Sequence, residues 1–203
     1  MKKYHIIYAD PPWAFSSKEL YGDKINGYKK RKRFTPLEKH YSIMSMKDIK
    51  NLKVEKITDK DCALFLWVTD AHLKQGIEVM NAWGFKYVTV AFVWEKRTVT
   101  GKLVANLGAW TMKNYEICLF GTKGKMLQYK KVNNIYQKVI AIREKHSKKP
   151  DEIRNRIVKL FGNISRIELF AREKYDGWDY IGNNIDGKDI REVLNYVDIA
   201  NET

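Results

Sequence analysis

The sequence predicts an α/β fold, with helices packed on a mainly parallel sheet. Three observations carry that prediction. Short apolar runs rich in β-branched and aromatic residues recur along the chain. Amphipathic helical stretches lie between them. A hydrophobic content of 44% in 203 residues suffices to bury a real core. At a prior of ~150 residues per domain, residues 1–203 form a single domain.

The elements follow in order. YHIIYA at 4–9 reads as a buried strand that stops at Asp10, because the prolines after it cannot continue sheet pairing. Residues 16–44 are polar, contain glycine and show no period, and form a long loop of the kind that is either functional or disordered. Within it lies the basic run Lys29, Lys30, Arg31, Lys32, Arg33. SMKDIKN at 45–51 suits a turn or two of helix. DCALFLWVT at 61–69 reads as a second strand, buried on both faces. Thr69 or Asp70 then caps a helix reaching Trp83, with Leu73, Ile77 and Met80 as its inner face and Gly84 as its stop.

FKYVTVAFVW at 85–94 is a third strand, followed by a basic, glycine-containing loop from Glu95 to Lys113. YEICLFG at 115–121 is a fourth, and a Lys-rich stretch runs from there to residue 138. VIAI at 139–142 is a weaker strand. Pro150 opens a helix whose first turn holds Asp151 and Glu152, the sign that suits the helix dipole. Its inner face is Ile153, Ile157 and Leu160, and Gly162 ends it. ISRIELFA at 164–171 is the last strong strand, and a short helix near 188–197 closes the pattern.

Charge and motif content narrow the function. Lys plus Arg number 38 and Asp plus Glu 24, so the net charge is 38 − 24 = +14. That favours polyanionic partners, nucleic acid first and an anionic membrane surface second. No apolar run approaches the ~18 residues of a membrane span, and the start is too short in apolar residues for a signal peptide. A cytoplasmic location is expected. Cys62 and Cys118 sit inside apolar runs and read as reduced core thiols. There is no CxxC and no paired-His spacing, so no metal is expected. His5, His40, His72 and His146 read as structural. Gly121-Thr122-Lys123-Gly124 lacks the spacing of a phosphate loop. Trp67, Trp83 and Trp94 fall in element patterns and read as core.

The chemistry concentrates in Asp10-Pro11-Pro12-Trp13. Open α/β sheets bind ligands beyond the carboxyl ends of their strands, and this tetrapeptide follows such an end directly. Asp10 offers carboxylate acceptors. The prolines offer carbonyls but no N–H, at a fixed φ. Trp13 offers a flat aromatic face. An acceptor array beside an aromatic plate suits a flat base bearing an exocyclic amine. A bare strand-terminating turn with Trp13 as core filling is the alternative use of the same residues.

The tetrapeptide and its surroundings resemble the MT-A type of adenine-N6 methyltransferases. YADPPW (8–13), HYSIMS (40–45), ALFLWVT (63–69), NAWGF (81–85), Trp110 with Glu116, SKKPDEI (147–153), IELFAR (167–172) and Gly182-Asn183 occur in family order. The resemblance covers about residues 4–186. It implies a Rossmann-like methyltransferase fold, permuted so that the catalytic motif precedes the cofactor-binding segments, with S-adenosylmethionine as methyl donor.

Carried over by position, Asp10 and the Pro11 carbonyl accept hydrogen bonds from the adenine amine, within a catalytic set of Asp10, Pro11, Pro12 and Trp13. Trp13 walls the base, with Trp110 and Glu116 beside the pocket. Lys149 reaches the methionine end of the cofactor. Arg172 and Asn183 hold its ribose, with Asn184 as companion and Asp10 also at the cofactor. Two departures stand out: Lys148 replaces the His common before Lys-Pro-Asp-Glu, and Glu173-Lys174-Tyr175 follows Arg172 where some relatives have His-Asn. The implied activity is direct in-line methyl transfer to adenine N6 in DNA, by a monomer or homodimer. Lys29 to Arg33 would meet phosphates, and Lys123, Lys125, Lys130 and Lys131 would extend that track. The same chemistry on RNA, a non-catalytic nucleic-acid-binding subunit and a cytosine-N4 enzyme are the competing readings.

Overall fold

The computed structural model describes residues 2–14, 44–108, 110–144, 148–182, 185 and 187–195. Among these residues seven strands form one sheet: β1 (Tyr4–Ala9), β2 (Thr58–Val68), β3 (Lys86–Arg97), β4 (Tyr115–Lys123), β5 (Lys138–Ile142), β6 (Arg166–Leu169) and β7 (Asp179–Ile181). Their order across the sheet is β5-β3-β4-β2-β1-β6-β7. Pairings β1–β2, β1–β6, β6–β7 and β3–β5 are parallel. β4 runs antiparallel to both its neighbours. The sheet is thus mainly parallel, as the alternation of runs and helices predicts. Reversing β4 brings its amino end to the edge where the other strands have their carboxyl ends.

Among the described residues, four α-helices cover the sheet: α1 (Met46–Lys50), α2 (Leu73–Ala82), α3 (Asp151–Phe161) and α4 (Ile190–Asn195). Alternate residues of β2 explain the layering. Cys62, Leu64, Leu66 and Val68 pack with Ile49 of α1, Val79 and Met80 of α2, and Ile190 and Leu194 of α4. Ala63, Phe65 and Trp67 pack on the opposite face with Ile153, Ile157 and Phe161 of α3. A strand with helices on both faces must be apolar throughout, which is why it reads as a continuous run. No helix among the described residues is long and apolar enough to cross a membrane.

The elements sit close to their sequence positions, with instructive differences. Pro150 precedes α3 as expected. Ser45 caps α1, its hydroxyl accepting from the Asp48 N–H at 3.1 Å. The inner face of α2 is Gly76, Val79 and Met80, and Leu73 is 40% exposed. Residues Asp70–His72 form a 3₁₀ turn, so the α-helical period starts three residues later than the cap residue suggests. The inner face of α3 includes Arg154 and Phe161 beside Ile153 and Ile157. β7 was not expected; three residues carry too little pattern to read.

Trp67, Trp83 and Trp94 are all buried. Cys62 and Cys118 are buried and unbridged, and burial pushes the Cys62 thiol up to about 12.

Candidate active site

β1 ends at Ala9, paired with Leu66 of β2 on one side and Leu169 of β6 on the other. Asp10 follows at that edge, with its side chain 18% exposed. Lys149, immediately before Pro150, donates to Asp10 Oδ2 at 2.7 Å. The same ammonium lies 3.1 Å from Glu116 Oε2. Glu116 stands at the amino end of β4, and the reversal of that strand carries it here. Its other oxygen accepts from Lys96, near the end of β3. The result is a row of alternating charge, Lys96–Glu116–Lys149–Asp10, along the carboxyl edge of the sheet.

Aromatic rings floor this row. Lys96 lies 5.2 Å above Trp94 and Lys149 5.3 Å above Trp67. Arg154 lies 5.3 Å from Tyr8. All three rings face α3. The electrostatics are mutual. Burial alone would pull the Lys149 ammonium down, but the Asp10 and Glu116 carboxylates outweigh it and raise its pKa. Burial would raise Glu116, and Lys149 with Lys96 outweighs it and holds the carboxyl below its usual range.

Beside Asp10 a small cleft is lined by Lys148, Lys149, Arg154, Glu168, Phe170, Arg172 and Glu173. Carboxylates and cations meet there within a few residues, a donor set that fits the ammonium and carboxylate of an amino-acid group. By charge, though not by room in this conformation, these residues suit the methionine end of S-adenosylmethionine. Gly182 keeps the neighbouring segment close: a Cβ there would stand 2.0 Å from the Ala171 carbonyl oxygen. Only glycine allows the chain after β7 to lie against the chain after β6.

The structure brings Asp10, Glu116, Lys149 and Arg172 to this edge, but changes the part played by Trp13. Its ring is buried at 7% exposure and stacks on His72, with centroids 5.4 Å apart. Its Nε1 donates to the Trp67 carbonyl at 2.9 Å. Trp13 is thus a wall braced from behind rather than an open plate. His72 is braced in turn by Thr69 Oγ1 at 2.8 Å and the Ala14 carbonyl at 3.2 Å.

Each proline carbonyl already accepts one hydrogen bond and keeps one lone pair. The Pro11 carbonyl accepts from the Trp13 N–H at 2.9 Å, and the Pro12 carbonyl from the Met44 N–H at 3.2 Å. Trp110 is 94% exposed. Lys123, Lys125, Lys130 and Lys131 do not extend from this edge: Lys123 ends β4 and pairs with Cys62. At ~3.3 Å per residue it is roughly 20 Å from Glu116. Asn183, Asn184 and Lys29 to Arg33 lie outside the described residues.

Sequence reasoning missed Lys96, Arg154 and Glu168. Arg154 and Glu168 are buried, joined by bonds of 2.7 and 2.8 Å from Nε and Nη2 to the two carboxylate oxygens. A signal was present: Arg154 interrupts the apolar face Ile153–Ile157, and Glu168 interrupts Ile167–Leu169.

A helix-covered, mainly parallel sheet with an acidic, aromatic-walled corner beside a zwitterion-suited cleft defines a Rossmann-like methyltransferase. The pattern of the MT-A70 family matches residues 4–184, and the chain belongs to that family. It is 36% identical to the type II methyltransferase M.MunI of a Mycoplasma species, across 91% of this chain and 78% of that one. It is 28% identical to the human N(6)-adenosine-methyltransferase catalytic subunit METTL3 and 26% identical to a probable rice counterpart, each across 91% of this chain. It spans 29% and 23% of those longer proteins.

Proposed function

We propose that this chain transfers a methyl group from S-adenosylmethionine to the N6 amine of adenine in DNA. The observation that carries the reading is the position of Asp10. It follows β1 at the carboxyl edge of the sheet, shares Lys149 with Glu116, and borders the charged cleft.

When bound, S-adenosylmethionine supplies a methyl group on a sulfonium, which needs no further activation. In the proposed mechanism the chain's residues supply positioning and electrostatics. Lys149 fixes Asp10 Oδ2, leaving Oδ1 to accept a hydrogen of the adenine amine. The second lone pair of the Pro11 carbonyl accepts the other. Acceptors on both hydrogens favour a pyramidal nitrogen with a freer lone pair. The proton becomes acidic only as the new bond forms, so Asp10 or water would then take it. Lys149, Arg172 and Asn183, with Asn184, would hold the cofactor, and Trp13 with Glu116 the base. Because the amine lies inside the duplex stack, the adenine must be flipped out or met unpaired.

DNA is preferred because the likeness to the Mycoplasma type II methyltransferase is higher in identity, and covers more of that relative, than the likeness to human METTL3. RNA is the second reading, favoured by the names of the adenosine-methyltransferase relatives. Methyl transfer from labelled cofactor to DNA and RNA oligonucleotides of equal sequence separates the two. The expected product is N6-methyladenine in DNA, absent with Asp10→Ala while cofactor binding persists. Equal turnover by Asp10→Ala would refute the reading; faster labelling of RNA would reassign the polymer.

A further inference from the structure

Arg154 has its side chain under the site, 5% exposed, although it belongs to a helix face otherwise made of Ile153, Ile157 and Phe161. Its guanidinium is held on every side. Glu168 accepts from Nε and Nη2, and Asp151 accepts from Nη1 at 2.9 Å. The Tyr8 ring lies 5.3 Å from its centre and the Tyr175 ring 5.1 Å. Lysine could supply the charge but not the planar fork or the flat faces.

What Tyr8 does next connects this residue to the corner. Its hydroxyl accepts from Trp67 Nε1 at 2.7 Å. The Trp67 carbonyl accepts from Trp13 Nε1 at 2.9 Å. A continuous path therefore runs Glu168–Arg154–Tyr8–Trp67–Trp13, from the charged cleft across β6, β1 and β2 to the far side of the tetrapeptide. Both ends border Asp10.

We infer that Arg154 is a positioning residue that sets both walls of the site, holding Glu168 toward the cleft and seating Trp13 through Tyr8 and Trp67. For the reaction it serves, the inference rests on the proposed methyl transfer; for the seating of Trp13 it does not. Glu168 is faced by Arg154 and Asp151 of α3, by Tyr8 and Asp10 at β1, and by Lys149, Arg172 and Glu173 around the cleft. Burial raises its pKa, and Arg154 opposes that rise. Removing the guanidinium removes the main opposition.

The test uses the ligand-free full chain labelled with ¹⁵N-tryptophan, as wild type, Arg154→Lys and Tyr175→Leu. The indole N–H signals of Trp67 and Trp13 are expected to shift in both variants. Those of exposed Trp110 and of Trp83, whose Nε1 donates to the Ile49 carbonyl and not to any member of the path, are expected to stay. Calorimetry with S-adenosylmethionine is the second readout. Arg154→Lys is expected to bind at least tenfold more weakly than the wild type, because lysine keeps the charge and loses the fork that holds Glu168.

Unmoved Trp67 and Trp13 signals in a folded variant overturn the inference. If Arg154→Lys does not fold, Tyr175→Leu decides by the same signals, since it removes one outer face of the clamp and leaves the ion pair. Shifted indole signals in a protein whose wild type binds no cofactor would uphold the seating of Trp13 and defeat the proposed function instead.

Discussion

Lys149 is the residue on which two carboxylates depend. It is 6% exposed and lies within bonding distance of both Asp10 and Glu116. Replacing it with Met leaves two carboxylates facing each other without their shared cation. Breaking a buried pair from one side costs roughly 3–5 kcal/mol, so the urea midpoint of Lys149→Met should fall sharply. Cofactor affinity should fall with it, and an unchanged midpoint would show the bridge to be idle. Glu116 gives a second prediction, with a sign. Its folded pKa is lowered, so its contribution is complete above the unfolded value of about 4.3. That contribution disappears as pH drops through the folded value. Melting temperature between pH 7 and 3 should therefore decline less steeply in Glu116→Gln than in wild type; parallel curves would contradict the pairing. At this scale the sequence was half legible. Asp10 and the prolines announce themselves because their chemistry is local to four residues. Arg154 and Glu168 show only as charged breaks in apolar runs, because what they mean is a bond between positions fourteen apart in sequence. Burial of Trp13 was one of two uses the sequence allowed, and Trp67 at the end of β2 with His72 just past it decide it.

At the scale of elements, the sheet was legible because both faces of β1 and β2 are covered, which forces unbroken apolar runs. The reversal of β4 was not legible: its residues are equally apolar in either direction, and only pairing fixes the sense. Yet that reversal places Glu116 at the site rather than at the opposite edge. Helix α2 shows how closely helix and sheet meet. A Cβ on Gly76 would stand 2.5 Å from Val68 Cγ1 and 3.2 Å from Leu119 Cδ1. Val68 is β-branched and packed, so it cannot swing aside. Gly76→Ala gains about 1 kcal/mol of helix propensity and loses about 1–3 kcal/mol to overpacking. The expected balance is a net loss, read as a lower denaturation midpoint, with weaker cofactor binding because Val68 leads into Thr69 and His72 behind Trp13. A stabilised Gly76→Ala protein would mean that the helix can withdraw without cost.

At the scale of the molecule, a net charge of +14 makes affinity for nucleic acid sensitive to salt. Where the charge lies decides how much of that affinity serves the site. The sequence alone joined two basic groups into one track, Lys29 to Arg33 and the lysines at 123, 125, 130 and 131. The fold sets the second group apart from the site, because β4 carries Lys123 away from the edge where Asp10 and Glu116 meet; Lys29 to Arg33 lie outside the described residues. Each phosphate contact contributes about 0.9 to the slope of log affinity against log salt on duplex DNA. If all five residues of the first run meet phosphates, replacing them with Ser should reduce that slope by about 4.5. The four-lysine replacement should leave the slope for a DNA just long enough to fill the site nearly intact, and matter only on longer duplexes that reach the far edge. Titrations at four salt concentrations, on a short and a long duplex carrying the same adenine, separate the two groups. A slope on the short duplex that follows the four lysines rather than the run at 29–33 would put the nucleic acid on the wrong side of the sheet for Asp10.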